Sequence, residues 1–361
     1  MAKHFRLLTI KDIRNETPDC ISVSFEVPAE WKEEFQFKSG QNITLRDRVE
    51  GEELRRSYSI CSSPYENELR VAIKKLESGR FSAHAHKNFR TTQALEVMAP
   101  TGNFILPLHA ENKKHYVAFA AGSGITPVIS LLKTILREEP RSQFTLVYGN
   151  RRRSGVIFRE ELMALKNDYP EQFQMISIFS REKMEAPVFE GRIDEGKCEL
   201  IFRKIIPLAE DQEYLLCGPA PMIFTVRDWL LNQQVNEKKI HYELFSDPGE
   251  AGISVKKINT EKKEPVQKES LVTIRLDGVS TDYKIPFAGP TILEAALQAG
   301  ADLPYACRAG VCATCRAKLV KGQVTMDQNY SLAEEELEQG FILACQSHPG
   351  SENLVIDFDI R

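Results

Sequence analysis

Four cysteines constrain this chain more than any other feature. Three lie in one short stretch, Cys307-Arg-Ala-Gly-Val-Cys312-Ala-Thr-Cys315, and the fourth, Cys345, stands far downstream. The spacing C-x4-C-x2-C followed by a distant cysteine is that of plant-type [2Fe–2S] ligation. Such a cluster takes four soft thiolates, three of them from one loop that wraps it closely. The residues between are small (Ala309, Gly310, Ala313, Thr314), which lets backbone N–H groups approach the sulfurs, and Gly310 accepts a positive φ without steric cost. A structural zinc site is the competing reading. Zinc sets usually come as two C-x2-C-like halves, and here one half is the lone Cys345, which favours iron. The loop follows a helix with marked ends: Thr291 and Glu294 spell a capping box, and Gly300 suits the residue just past the C-cap.

The other cysteines, Cys20, Cys61, Cys198 and Cys217, are scattered, and we read them as reduced thiols of a cytoplasmic protein. The N-terminal residues Met1 to Leu8 contain no apolar core of a signal peptide. No apolar run approaches the ~18 residues of a membrane span, so no membrane partner is expected. Net charge is −4, yet residues 271–361 hold 7 Lys and Arg against 12 Asp and Glu. An acidic cluster domain suits docking to a basic partner. Nothing is basic enough to imply nucleic acid.

A chain of 361 residues is long enough for two or three domains. Residues 1–107 read as β-rich: Leu7–Ile10, Ile21–Val27, Ile43–Leu45 and Leu69–Ile73 are short β-branched runs. Turn signals at Ser39-Gly40, Glu50-Gly51 and Ala99-Pro100-Thr101-Gly102 separate them. This predicts an antiparallel β-barrel. Residues 108–245 alternate strand and helix, with strands at Tyr116–Ala120, Phe144–Tyr148, Phe173–Phe179 and Glu213–Cys217. Helices are expected through Val128–Leu136 (amphipathic), Phe158–Leu165 and Ile223–Leu231. That is the pattern of a doubly wound α/β domain. Residues 246–269 are turn-forming and then charged, a linker. Residues 270–361 open with a hairpin turning at Asp277-Gly278 and close with the strand Leu354–Phe358.

Within the α/β segment, Gly122-Ser-Gly124-Ile-Thr126-Pro127 follows a strand and precedes a helix. Its glycines would let the backbone approach a pyrophosphate at a helix N-terminus, with Thr126 as N-cap and Pro127 at N1. The same residues would serve a plain strand–turn–helix. Further candidates stand at the other strand ends: Asn150 and Arg151, Ser180 and Arg181, and Cys217-Gly-Pro219-Ala-Pro-Met222. Arginines at these ends favour the 2′-phosphate of NADP, although surface arginine is equally common. In the barrel, Arg56 and Tyr58 share one face of an extended segment, and Ser57 and Ser59 the other.

In that order, Arg56-Ser-Tyr-Ser59, Gly122 to Pro127, Cys217 to Met222 and the C-terminal cysteine spacing resemble the ferredoxin–NADP reductase superfamily. More closely, they resemble its three-domain oxygenase reductases with a C-terminal ferredoxin. The resemblance spans essentially the whole chain and implies a β-grasp fold for the cluster domain. It implies FAD held by Arg56 (pyrophosphate), Ser57, Tyr58 (isoalloxazine) and Ser59 (near N5), by Val71 to Lys74, and by Gly79, Phe81 and Ser82 at the phosphates. It places a nicotinamide dinucleotide on the Gly122 loop, with Cys217 and Gly218 beside the nicotinamide and Glu243 and Phe245 near the flavin face. Cys307, Cys312, Cys315 and Cys345 would hold the cluster. Tyr58, Ser59 and Cys217 would border the hydride path. The coenzyme implied is NADPH, with NADH the alternative, because Ser180-Arg181 has no clear tyrosine partner. The implied activity is NAD(P)H-dependent electron transfer to an external di-iron oxygenase acting on an aromatic-CoA substrate. Other hydroxylases, Rieske oxygenases or a soluble ferredoxin share the same motifs, and a redox-sensing module without turnover is the rival of another class.

Overall fold

The structure is a computed structural model and describes residues 5–245 and 269–360. The expected linker falls outside the described residues except for Glu269, which already belongs to a strand.

The first unit contains β1 (Phe5–Thr17), β2 (Cys20–Glu26), β3 (Asn42–Val49), β4 (Glu52–Ser59), β5 (Leu69–Lys74) and β6 (Ala94–Thr101), with α1 (Arg80–Asn88) between the last two. The strands form an antiparallel sheet in the order β4-β3-β6-β1-β2-β5. Just past β4, Ile60 bridges Val71 of β5 and closes the barrel. Its interior is packed with β-branched and aromatic side chains, including Val23, Ile43, Val71, Ile73 and Phe81. Two features depart from expectation. Helix α1 covers a segment that the sequence reading assigns only to strands and loops. Ala99-Pro100-Thr101, expected as a turn, lies inside β6. Proline offers no N–H, and the register of β6 on β3 slips between the Thr44–Met98 and Asn42–Thr101 pairs, so Ala99 and Pro100 need no ladder partner.

The second unit runs β7 (His115–Ala121), α2 (Ile125–Glu138), β8 (Gln143–Asn150), α3 (Arg159–Asp168), β9 (Phe173–Phe179), α4 (Glu195–Lys204), β10 (Gln212–Cys217), α5 (Ala220–Asn232) and β11 (Ile240–Glu243). All five strands are parallel, in the order β11-β10-β7-β8-β9. Separate apolar layers, one from α2 and α3 and one from α4 and α5, cover the two faces of the sheet. Helix α2 has the expected amphipathic pattern, yet it is buried nearly all round. One side faces the sheet and the other faces the barrel: Ser130 Oγ donates to the Ser62 carbonyl at 2.6 Å, and Ser63 and Thr134 hydroxyls meet at 3.2 Å. Each fully buried Ile or Leu of this helix contributes about 1.5–3 kcal/mol, so barrel and α/β unit are firmly joined along it.

The third unit comprises β12 (Glu269–Leu276), β13 (Val279–Pro286), α6 (Ile292–Gln298), β14 (Arg316–Lys321), β15 (Val324–Met326), α7 (Glu334–Glu338), β16 (Phe341–Leu343), β17 (Ser347–Pro349) and β18 (Asn353–Asp357). A mixed sheet in the order β13-β12-β18-β14-β16 packs against α6, a β-grasp arrangement. The hairpin turns at Asp277 and Gly278, both at positive φ, and Thr291 with Glu294 forms the expected capping box. Among the described residues no helix is long and apolar enough to cross a membrane.

Candidate functional site

The strand order reverses direction between β7 and β10, so the turns leaving these strands open a crevice at their carboxyl ends. The turns nearly touch. A Cβ on Gly124 would lie 2.1 Å from the Cys217 carbonyl oxygen and 2.7 Å from the Gly218 nitrogen. The helix begins two residues earlier than the sequence suggests. Gly122–Gly124 forms a 3-10 turn that runs straight into α2, so Gly124 is the N-cap, and Thr126 and Pro127 lie within the first turn. Thr126 Oγ1 donates to the Ser123 carbonyl at 3.0 Å instead of capping. No side chain caps α2; the N–H of Ile125 is taken by the Gly122 and Ser123 carbonyls, and no side chain occupies the cap position at the start of the helix, where an anion would sit. Cys217 is fully buried beneath, and burial pushes its thiol well above the usual range. Pro219 caps α5, and Met222 lies in its first turn with its Cε under Gly218.

The next two strand ends bring Asn150, Arg151, Ser180 and Arg181 together: Ser180 N–H donates to the Asn150 carbonyl and Arg181 N–H to that of Arg151, each at 2.9 Å. Asn150 Nδ2 is buried with no acceptor in bonding geometry, an amide suited to a ligand at this edge. From the barrel side, Lys74 reaches over the turn. Its Nζ is 3.9 Å from where a Gly122 Cβ would stand, and it pairs with Asp19 at 3.5 Å.

A cleft of about 520 Å³ lies where all three units meet. Strand β4 lends it Arg56, Ser57 and Ser59, the end of β11 lends Glu243 and Phe245, and the cysteine loop lends Cys307 and Cys312. Ser59 Oγ donates to Glu243 Oε2 at 2.9 Å inside the protein. Burial pushes the Glu243 carboxyl up to about 8 even though the Ser59 hydrogen bond opposes it, so the group is protonated at neutral pH. Tyr58 leans on Phe81, ring centroids 6.0 Å apart. Val71 is core, and Gly79 and Ser82 sit at the start of α1, where Ser82 Oγ donates to the Gly79 carbonyl and accepts from Leu76 N–H.

The three loop cysteines and Cys345 converge in two pairs. Cys307 lies against Cys312 and Cys315 against Cys345; the hydrogen bond within each pair holds one thiol up and its partner down. Two thiol pairs are what two irons of one cluster would take, and the donor set fits [2Fe–2S] better than zinc. Backbone N–H groups do approach the sulfurs: Ala309 N lies 3.3 Å from Cys307 Sγ, and Gly310 donates to Cys345. The loop holds Arg308 and Ala313 at positive φ, backbone strain of the kind that wrapping a ligand closely requires, and Gly310 takes its positive φ at no steric cost.

Sequence reasoning missed several residues here. Thr44 of β3 links the Ser57 hydroxyl (3.1 Å) to the Thr314 hydroxyl (3.4 Å), and Thr314 in turn hydrogen-bonds Cys312. Arg55, next to the motif residue Arg56, is the buried member of that pair. The alternation of a strand could have separated them; nothing in the sequence pairs Thr44 with Thr314.

Residues 7–105 match the oxidoreductase FAD-binding domain family, 119–228 the oxidoreductase NAD-binding domain and 274–350 the 2Fe-2S iron-sulfur cluster binding domain. Over 360 residues the chain is 41% identical to a subunit of the 1,2-phenylacetyl-CoA epoxidase of Escherichia coli (strain K12), covering 99% of this chain and 98% of that one. It is 32% identical to the ferredoxin reductase component of 3-ketosteroid-9-alpha-monooxygenase of Rhodococcus rhodochrous, covering 98% and 96%. The solved phthalate dioxygenase reductase, described as a modular structure for electron transfer from pyridine nucleotides to [2Fe-2S], aligns over 98% of both chains with a TM-score of 0.59 and 25% identity. With three cofactor domains in this order and these relatives, the chain belongs to the ferredoxin–NADP reductase superfamily, among its three-domain oxygenase reductases, and passes electrons from NAD(P)H through FAD and a [2Fe–2S] cluster to an oxygenase.

Proposed function

We propose that this reductase, acting in the cytoplasm with NADPH, serves a di-iron oxygenase that epoxidises phenylacetyl-CoA in phenylacetate catabolism. The near full-length 41% identity to a subunit of such an epoxidase supports this acceptor. The 32% identity to a ketosteroid monooxygenase reductase favours a second reading, delivery to another oxygenase. A cytoplasmic location is supported by Cys20, Cys61, Cys198 and Cys217, all free and buried thiols. The observation that carries the relay is the single cleft shared by Ser59, Glu243 and Cys312.

Bound there, the nicotinamide supplies a hydride, FAD converts that pair of electrons into single ones, and the cluster carries them one at a time. The chain's part is to bind, align and exclude water. Arg56, Ser57, Tyr58 and Ser59, with Lys74 and the start of α1 at Gly79, Phe81 and Ser82, hold FAD. Gly122, Gly124, Thr126 and Pro127 let the nucleotide pyrophosphate sit on the N-terminus of α2. Asn150, Arg151, Ser180 and Arg181 receive its ribose end, where the two arginines favour a 2′-phosphate. Gly218, Pro219 and Met222 shape the nicotinamide side of the crevice, over Cys217. Ser59 and the protonated Glu243 form a buried pair that holds a proton at the Ser59 hydroxyl. Phe245, 42% exposed, borders the mouth of the cleft. Titrating the anaerobic protein with NADPH should bleach the flavin and raise the EPR signal of a reduced cluster; a bleached flavin beside a cluster that never reduces would refute the relay. Reconstitution with phenylacetyl-CoA epoxidase components and with other purified oxygenases decides the acceptor, and comparing kcat/KM for NADPH and NADH decides the coenzyme.

A further inference from the structure

The guanidinium of Arg55 is 5% exposed, although it belongs to a residue type that normally reaches water. Its Nε donates to Glu53 of its own strand at 2.8 Å. The guanidinium also lies over the Phe5 ring of the barrel at 5.1 Å, and its other hydrogen bonds cross to the cluster domain. Nη1 donates to the Leu303 carbonyl at 3.2 Å, Nη2 to Asp302 Oδ1 at 3.0 Å, and the group lies over the Tyr305 ring at 4.3 Å. Tyr305 stands two residues before the cluster ligand Cys307, and its ring also carries Arg308 at 4.6 Å. One aromatic ring thus meets both a guanidinium of the barrel and one of the cysteine loop. On β4 successive side chains alternate, so Arg55 lies on the face opposite Arg56 and Tyr58. Arg55 therefore shares its face with Ser57 and Ser59, so one short segment carries both FAD-holding residues and the contact to the cluster domain. The hydroxyl contact between Thr44 and Thr314 secures the same loop beyond Cys312.

We propose that Arg55 is a positioning residue for electron transfer between flavin and cluster: it latches the segment leading into Cys307 to the flavin-bearing strand. The proposal rests on the relay described above. In the step concerned one electron leaves reduced FAD, one ferric iron becomes ferrous, and no bond forms between the two groups. The rate of such a step depends on how often the domains are docked, whereas hydride transfer into FAD does not involve Arg55. A lysine in its place keeps the charge but loses the planar fork and most of the stacking. A lost charge-assisted fork of this kind is worth a factor of roughly ten or more in the docked fraction.

The test follows full-length Arg55→Ala, Arg55→Lys and Tyr305→Leu proteins, and the Arg55→Ala/Tyr305→Leu double variant, in anaerobic stopped flow with NADPH. Flavin bleaching should keep its wild-type rate in Arg55→Ala. The subsequent cluster reduction should slow roughly tenfold or more, with Arg55→Lys in between and the double variant no slower than the worse single one. In steady state, ferricyanide reduction, which draws on the flavin, should persist while cytochrome c reduction falls. Cluster circular dichroism and midpoint potential should be unchanged. A wild-type rate of cluster reduction in Arg55→Ala overturns the proposal, as does a loss of FAD that slows both phases together. If Arg55→Ala does not fold, additive rather than overlapping effects in an Arg55→Lys/Tyr305→Leu double variant overturn it. Failure of the wild-type cluster to reduce at all would instead sink the relay itself, a result that none of the variants can mimic.

Discussion

Replacing Gly124 with alanine would put a methyl group 2.1 Å from the Cys217 carbonyl oxygen and 2.4 Å from its carbon. Ordinary contact begins at 3.4 Å, so the turn and the end of β10 must part by about 1.3 Å, the difference between those distances, and overpacking of this size costs ~1–3 kcal/mol or more. Both clashing atoms are backbone, so no rotamer change relieves the contact. Gly122, two residues earlier, makes the control. It sits at φ +54 with nothing nearer a Cβ than Lys74 Nζ at 3.9 Å, so Gly122→Ala carries only left-handed strain of roughly 1–2 kcal/mol. The functional consequences differ more than the energies. A displacement of about 1 Å at a site that aligns two reacting rings costs on the order of 100-fold in rate, and only Gly124→Ala forces one. Stability can be read in urea from Trp229, which stacks on Phe202 with centroids 4.7 Å apart inside the α/β unit; a Trp31→Phe background removes the second tryptophan. Function is read as the rate of flavin bleaching by saturating NADPH. Wild-type bleaching in Gly124→Ala, or a larger loss in Gly122→Ala than in Gly124→Ala, would refute the close-approach argument.

Three further outcomes follow from the site. Cys312→Ser should retain FAD and NADPH–ferricyanide activity but lose cytochrome c reduction and oxygenase support; retained oxygenase turnover would remove the cluster from the path. Glu243, raised from 4.5 to about 8 by burial, stabilises the fold fully below pH 4.5 and loses that contribution as pH climbs through about 8; Glu243→Gln should flatten both the stability and the flavin-reduction profiles on the alkaline side, and an unchanged inflection would contradict the assignment. Glu213 has the opposite sign: although burial raises it, hydrogen bonds from His241 and Lys114 hold its carboxyl below 4.5. Its contribution is present above that value and fades as the solution is acidified, so Glu213→Gln should unfold more easily than wild type at neutral pH and converge with it in acid, as urea midpoints against pH will tell.

The features legible in the sequence are those that a few neighbouring residues determine. The cysteine loop can be read because ligand spacing within one turn is a local property, and the capping box at Thr291 and the Asp277-Gly278 hairpin for the same reason. The α/β alternation announces its parallel sheet. The departures arise where a distant partner overrides local preference. Pro100 suggests a turn because proline lacks an N–H, but a register slip against β3 supplies a place in the strand where none is needed. Helix α2 has the pattern of a helix with a polar face, but the barrel covers that face, and its serine and threonine hydroxyls bond across the junction. Thr126 has the chemistry of a cap, yet the 3-10 turn before it moves the helix start to Gly124. The contact between Thr44 and Thr314, 270 residues apart, has no local signature of any kind.

Two adjacent arginines carry different weight for the same physical reason. Arg55 and Arg56 are indistinguishable by composition, and the family pattern includes only Arg56. The pleat of β4 sends them to opposite faces. Arg56 is exposed at the cleft, and Arg55 is buried under a domain that begins after the linker. Burying a guanidinium is costly unless its donors are satisfied, and here those partners come from Leu303 and Asp302 as well as from Glu53. The buried arginine therefore depends on the docked cluster domain for its satisfaction, and an undocked domain would have to be matched by hydration of the same fork. Docking and release are thus coupled to one side chain, which is why electron delivery between the domains should respond to Arg55 while hydride capture, to which its guanidinium contributes no contact, should not.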